Sequence, residues 1–340
     1  MILLENVDLQ PYNTFGIKVF TKYFAILHSV EDAKELFASE IFKNEPHLFL
    51  GGGSNLLFTK NYDNLIVKVE IKGKEIVDEA DETIKLKVGA GENWHALVMY
   101  CVERNWGGIE NLALIPGTTG AAPIQNIGAY GVEIKKIISS VETVEISSGM
   151  SRVFTNADCR FGYRESIFKQ QLKDKYLISS ITLTLTKKNH QFNTSYDAIE
   201  EILKQKGVSE LSLKSISDAV IQIRSTKLPD PTRIGNAGSF FKNPSIHVDL
   251  HDFIKKEFPT LPSYPTVEGL VKIPAAWLIE QCGWKGKTFG NIGVHANQPL
   301  VIVNYGGGEG EKIWQLAMDI RDSVKAKFNI TLQPEVNVIQ

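Results

Sequence analysis

An apolar run, Leu48–Leu50, leads straight into Gly51-Gly52-Gly53-Ser54-Asn55-Leu56-Leu57. A strand that breaks into consecutive glycines exposes backbone N–H groups with no side chain over them. Such a nest holds anions, a pyrophosphate above all; the same glycines also suit a plain hairpin loop. A second stretch, Ile115 to Gly131, reads IPGTTGAAPIQNIGAYG. Its small residues let a backbone lie flat against a large planar ligand. Thr118, Thr119, Gln125 and Asn126 add hydroxyls and amides; without a ligand it is a decorated loop. In Arg160–Lys169, Arg164 has the planar fork that grips a carboxylate through two parallel bonds. A surface ion pair of Arg164 with Glu165 or Asp174 is the alternative. In Gly235–Pro244, Gly238 leaves the Ser239 hydroxyl open. A serine is a poor acid toward water but can protonate a strongly basic carbanion or enolate beside it. The plainer alternative is a turn serine.

Other matches fail on a single position. The dinucleotide fingerprint GxGxxG lacks its third glycine both at Gly51–Asn55 and at Gly89-Ala90-Gly91. Gly283–Thr288 ends like a P-loop, but Gln281 stands where the first glycine must be. His247 and His251 have the spacing of zinc ligands on a helix, but Val248 replaces the zincin glutamate, so no metal site is expected. Ser239 lacks the GxSxG context of a hydrolase elbow.

These residues need elements to hold them. Phe20–His28, Leu65–Val69, Thr83–Val88, Ile137–Ile146 and Tyr176–Leu185 read as strands. Val30–Ser39 reads as a short helix. In Asn93–Arg104, Trp94, Leu97, Val98 and Cys101 fall on one helical face. The long Gly- and Pro-rich stretch Ile109–Gly131 between such elements is of a kind that is usually functional. Beyond it, helices are expected at Ser215–Thr226, His247–Phe258 and Ile273–Cys282. The clearest is Glu309–Phe328, where Ile313, Leu316, Ala317, Ile320, Val324 and Phe328 recur at helical spacing. Thr331–Ile339 reads as a closing strand. The polar Lys187–Ser195 and Pro-rich Leu228–Thr232 bracket a domain break near residue 200.

Composition bounds the function. A chain of 340 residues with 43% hydrophobic and 22% charged residues is an ordinary globular one of two or three domains. The net charge of −2 argues against a nucleic-acid partner. Cys101, Cys159 and Cys282 are odd in number and widely spaced, so reduced, mostly buried thiols are expected. Met1 to Val7 lacks the pattern of a signal peptide, and no apolar run reaches membrane-spanning length. A cytoplasmic protein with no membrane partner is expected.

Asn13-Thr14-Phe15-Gly16, Pro123–Gly131, Thr226-Lys227-Leu228-Pro229-Asp230-Pro231, Asn236–Pro244 and Pro334-Glu335-Val336 together resemble the UDP-N-acetylenolpyruvoylglucosamine reductase family. The resemblance spans nearly the whole chain. Ser195-Tyr196-Asp197 and Ser263-Tyr264-Pro265 are similar to the subgroup with an additional substrate-clamping loop. It implies an α+β protein: an FAD-binding fold of the vanillyl-alcohol-oxidase type over residues 1–200, in two subdomains of about 1–70 and 71–200, and a C-terminal α+β substrate-binding domain over 201–330. Residues 331–340 would bring Glu335 to the active site. FAD would lie against Gly51, Gly52, Gly53, Ser54, Asn55 and Leu56, against Pro116, Gly117, Thr118, Gly120 and Ala121, and against Gln125, Asn126, Gly128 and Arg164. NADPH would deliver hydride through it to a UDP-sugar enolpyruvyl ether.

Ser239 would be the proton donor, with Arg164 and Glu335 polarising the enol ether. Tyr163, Tyr196, Lys227, Asn243, Tyr264, Lys272, Lys285 and Gln298 would contact substrate. The family's usual monomer is expected. Asn337 stands where some members carry arginine, and Thr119 where valine is common. Another flavin oxidoreductase of this fold would not need Ser239, Tyr264 and Lys285 together. A catalytically silent binding protein would lack at least one of Arg164, Ser239 and Glu335.

Overall fold

The computed structural model describes residues 1–266 and 269–340. The chain forms two compact units, each discontinuous in sequence. The first comprises residues 1–7, 21–52 and 63–225; the second comprises 8–20, 53–62 and 226–340. The change of character near residue 200 falls inside the first unit, in the helix Asp197–Gln205.

The first unit is built on two sheets. One has the order Ile2–Asp8, Phe20–Leu27, Tyr62–Val69, His47–Leu50. Its last pair is parallel, with Leu50 opposite Lys68, so the strand delivers Gly51 at a fixed point. The other is antiparallel, in the order Ser151–Thr155, Ile138–Glu145, Tyr176–Thr186, Thr83–Gly89, Lys74–Glu79. Its middle strand is apolar, Ser or Thr along most of its length and is buried at nearly every position, as a strand covered on both faces must be. The edge strand Lys74–Glu79 is charged and exposed, which discourages pairing with another chain; its charges hid it from the sequence reading. Side chains of both sheets share one core, from Leu27 and Val67 to Val88, Val141 and Leu183. The helix Trp94–Glu103 packs Trp94, Leu97, Val98 and Cys101 into that core. Asn93 caps it, accepting from the Ala96 N–H.

The second unit uses smaller pieces. One sheet orders Ser245–His247, Leu270–Lys272 and Tyr264–Pro265; another orders Thr288–Phe289, Ile292–Val294 and Ile302–Asn304. The helix Gly310–Phe328 buries the whole predicted stripe, Ile313 to Phe328. It ends at Asn329, a left-handed cap at φ 55°. The expected strand Thr331–Ile339 is a strand only over Asn337–Ile339, which pairs in parallel with Leu56–Phe58. Pro334 has no N–H to give a ladder, so the residues before it make a single bridge, Phe241 with Pro334.

Cys101 and Cys159 are buried and Cys282 is half-buried; all are free. Burial pushes the Cys101 and Cys159 thiols up to about 12, so neither is a nucleophile at neutral pH. Among the described residues no helix is long and apolar enough to cross a membrane.

Burial also lowers the pKa of His47, which stacks on Phe42 with ring centroids 4.0 Å apart, and those of His95 and His295. Each native ring resists a proton that the unfolded chain accepts near 6.5. The unfolded state therefore binds more protons there, and stability rises with pH across that range. The melting temperature is expected to fall as pH drops from 7.5 toward 5, above the carboxylate range, and His47→Phe is expected to flatten the slope. A melting temperature that holds or climbs over that interval contradicts this account.

Candidate active site

In the first unit the two glycine-rich stretches meet. A Cβ on Gly51 would lie 2.5 Å from Thr118 Oγ1, and one on Gly52 would lie 2.7 Å from Gly117 Cα. Only glycine permits that approach, and it keeps the backbone surface bare of side chains. Lys68 Nζ holds the Gly51 carbonyl at 2.7 Å. The opposing loop is moulded on residues 90–94. The Trp94 N–H donates to Gly117 O (3.1 Å), the Thr119 N–H to Glu92 O (2.8 Å) and the Gly120 N–H to Ala90 O (2.9 Å). Gly120 has no room for a Cβ, which would meet that of Ala90 at 2.6 Å. The structure thus brings together Gly51 and Gly52 with Gly117, Thr118, Gly120 and Ala121, with Pro116 exposed at the entry.

The next segment is knit to the arginine turn. Asn126 is fully buried at φ 45°, and its amide donates to Gly162 O (2.9 Å) while accepting from the Lys135 N–H (3.1 Å). Its side chain is therefore structural, and any contact it makes with a ligand is through the backbone. Ser166 Oγ donates to Ile124 O at 2.6 Å. Gly162 and Glu165 pair across a tight turn that carries Tyr163, 52% exposed, and Arg164 at φ 55°. A left-handed arginine is strained, a feature that clusters at functional sites. Arg164 Nη2 donates to Gly128 O at 3.0 Å, and Lys169 Nζ donates to Arg164 O at 3.1 Å. Gln125 is half-buried beside Asn126. Tyr196 sets its ring edge-on to Tyr130, centroids 5.0 Å apart.

The second unit holds the serine. Gly53, at φ 62°, closes on Tyr12, where a Cβ would strike the Tyr12 carbonyl. Thr14 joins two loops: its N–H donates to Gly53 O (3.0 Å) and its hydroxyl to Asn236 O (2.6 Å). Buried Asn236 accepts from the Gly238 N–H at 2.9 Å, which shapes the left-handed turn, φ 71°, before Ser239. Phe240 then bonds on both sides. Its N–H donates to Leu300 O and its carbonyl accepts from the Glu335 N–H, each at 2.8 Å. This ladder places half-buried Ser239 beside Glu335 and the Gln298–Leu300 turn. Asn55 joins the same strip, its amide donating to Glu335 O at 3.3 Å.

The comparisons with known proteins give the family. A family model described as FAD binding domain matches residues 21–154, and one described as UDP-N-acetylenolpyruvoylglucosamine reductase, C-terminal domain, matches 230–339. A protein of Amoebophilus asiaticus named UDP-N-acetylenolpyruvoylglucosamine reductase is 49% identical over all of both chains. One of Flavobacterium johnsoniae with the same name is 48% identical, again over all of both. The chain belongs to the UDP-N-acetylenolpyruvoylglucosamine reductase family. It is an FAD-dependent oxidoreductase. The crystal structure of the reductase from Thermus caldophilus shares the fold, with a TM-score of 0.69 at 21% identity over 100% of each chain. A cholesterol oxidase from Brevibacterium sterolicum aligns at a TM-score of 0.50 and 10% identity, over 98% of this chain and 86% of that one. The FAD-binding fold of the vanillyl-alcohol-oxidase type expected from the sequence is thus the fold found.

The positions that the reductase resemblance marks for substrate have distinct surroundings. Tyr264 and Lys272 lie directly opposite on neighbouring strands, so their side chains share a face, and Ser245 flanks Lys272 on the other side. Asn243, two residues before Ser245, accepts from the Ala275 N–H at 2.9 Å and so anchors the helix that follows. Gln298 Oε1 accepts from the Leu300 N–H at 3.4 Å. Exposed Lys285 pairs with Glu280 at 2.7 Å, and exposed Lys227 ends the helix Leu213–Lys227. His247 caps its own helix, accepting from the Asp249 N–H, and His251 bonds Asp252 and Ser263. No cluster of three or more metal-ligating side chains occurs among the described residues.

The departures from the reductase pattern have local partners. Asn337 Nδ2 donates to Asn55 O at 3.0 Å, so the amide steadies the loop after Gly53. Thr119 Oγ1 donates to Glu92 O at 3.1 Å. The sequence reading missed the joining roles of Asn236 and Thr14, and it also missed those of His95, Tyr130 and Arg224. Thr14, Tyr130 and Asn236 lie inside the quoted motif segments without being singled out, whereas His95 and Arg224 stand outside all of them.

Gly52→Ala is expected to raise the dissociation constant for FAD by about tenfold or more, because its methyl must push residue 117 aside. Flavin fluorescence titration measures it; an alanine variant that holds FAD as tightly as the parent refutes the close approach.

Proposed function

We propose that the protein reduces UDP-N-acetylglucosamine enolpyruvate to UDP-N-acetylmuramate with NADPH, a step in peptidoglycan precursor synthesis. The observation that supports this reading is the ladder through Phe240, which brings the backbone at Ser239 close to that of Glu335 on an aromatic-backed strip. The glycine cradle of Gly51, Gly52 and Gly117, which any Cβ would fill, fits FAD. When bound, FAD would supply hydride-transfer chemistry between NADPH and the enolpyruvyl methylene carbon.

The chain's own residues account for the rest. Ser239 Oγ holds the proton for the carbon beside the carboxylate. Its position is fixed by Gly238 on one side and by the two Phe240 bonds on the other. The Arg164 guanidinium, directed by its bond to Gly128 O, serves as the fixed positive charge that draws electron density toward the substrate carboxylate. Glu335, whose N–H bonds the Phe240 carbonyl, is the polar group that works with Arg164 on the enol ether. Tyr264 and Lys272, on one sheet face, suit the diphosphate and its flanking sugar, with Lys227 and Lys285 adding positive charge. Tyr163, Tyr196, Asn243 and Gln298 complete the contacts.

Anaerobic reduction of the holoprotein with NADPH, followed by addition of the enolpyruvyl substrate, tests this. Flavin absorbance is expected to bleach and then return as UDP-N-acetylmuramate forms. Ser239→Ala is expected to leave the bleaching rate unchanged and to slow the return by about 100-fold or more. Bleaching without return in the parent protein removes the substrate assignment, and equal return rates in parent and variant remove Ser239 as the donor.

A further inference from the structure

Leu114 is a left-handed residue at φ 58°, immediately before Ile115 and the flavin loop Pro116–Ala121. A branched side chain rarely adopts that conformation, and the strain persists only where the surroundings over-determine it. Both of its peptide groups are held by side chains. Its N–H donates to His95 Nδ1 at 3.0 Å, and its carbonyl accepts from Arg224 Nε at 3.2 Å. The segment just before is held as well, by Trp94 Nε1 donating to Leu112 O at 3.0 Å. His95 and Trp94 lie in the first turn of the helix Trp94–Glu103, whose preceding residues template Gly117 to Gly120. Arg224 comes from a different element, Leu213–Lys227.

We propose that His95 and Arg224 form a clamp that keeps Leu114 left-handed and so aims the flavin loop. They are positioning residues: they act through Leu114 and need not touch the cofactor. The inference rests on the reading of Pro116–Ala121 as a flavin loop. A histidine that accepts at Nδ1 carries its proton at Nε2, and burial together with the neighbouring Arg224 charge favours that neutral ring. The donor that holds the Leu114 carbonyl is Nε, inside the rigid guanidinium fork; a lysine has no donor at that place on its stem. The Leu114 carbonyl therefore depends on the arginine itself and not merely on a positive charge.

The test uses holoprotein variants. FAD release on dilution is followed by the recovery of flavin fluorescence, and hydrogen exchange is read at the Leu114 amide. His95→Phe removes the acceptor and is expected to raise the FAD dissociation constant about tenfold and to expose the amide. His95→Asn places an amide oxygen near the Nδ1 position and is expected to restore most of both. Arg224→Lys is expected to resemble His95→Phe in FAD release while leaving the melting temperature close to the parent's. Leu114→Gly, which adopts the left-handed form without strain, is expected to make His95→Phe nearly harmless in the double variant. A merely structural histidine would not give that rescue.

If His95→Phe fails to fold, the Arg224→Lys and Leu114→Gly proteins carry the test. Parent-like FAD release from all the single variants overturns the clamp alone. A parent protein that binds no FAD overturns the flavin reading and the clamp with it.

Discussion

Much of the first unit follows from one steric fact: at Gly52 the chain passes Gly117 so closely that no side chain fits between them. That approach needs a strand to deliver the glycines at a fixed point, which the parallel pairing of His47–Leu50 with Tyr62–Val69 supplies. It needs an opposing loop whose path does not wander, which the bonds to residues 90–94 supply. It also needs the chain to turn sharply into that loop, and the strained Leu114 makes that turn. A bare backbone surface is useful for binding a pyrophosphate only if it is rigid, since flexible glycines lose the most entropy on ordering. The surrounding bonds convert permissive residues into a fixed surface.

The second unit solves a different problem with a different material. Ser239 follows a left-handed glycine, which alone would leave it mobile. Its neighbours Phe240 and Phe241 are fully buried aromatics, and Phe240 packs against Phe15 and Trp314. The anchor is thus apolar burial next door, and the hydroxyl is positioned by proximity to it. The serine stays half-exposed while the adjacent residue carries the stability.

What could be read from the sequence had a periodicity or a local spacing. The stripe Ile313 to Phe328, the face Trp94 to Cys101 and the strand Tyr176–Leu185 all repeat at the pitch of their element and were found where expected. The glycine loops were legible because glycine is informative wherever backbones meet. The reading failed where one polar residue works through a distant partner. Arg224 looks like the solvated end of a helix until its bond to Leu114, 110 residues away in sequence, is seen. Thr14 reaches Asn236 over 222 residues. Asn126 was read as an amide offered to a ligand, but it faces inward, because buried backbone groups at Gly162 and Lys135 need partners. The tail was read as one long strand because its apolar alternation is real; Pro334 interrupts the ladder all the same.

The C-terminal strand has a consequence for how the protein is made. Asn55 bonds Glu335, and Thr59 bonds Ile339, each across 280 residues of chain. Among the described residues the strand Leu56–Phe58 has its parallel partner only in Asn337–Ile339, and parallel pairing cannot be nucleated by a local hairpin. Residues 63–225, nearly all of the first unit, are synthesised between the two. During translation the segment after Gly53 must therefore wait for this partner until Asn337–Ile339 has been made. Closing so long a loop is slow, and the waiting strand is apolar. Loss of Asn337–Ile339 would leave Leu56–Phe58, in the first-made half of the serine-bearing unit, without that edge to rest on.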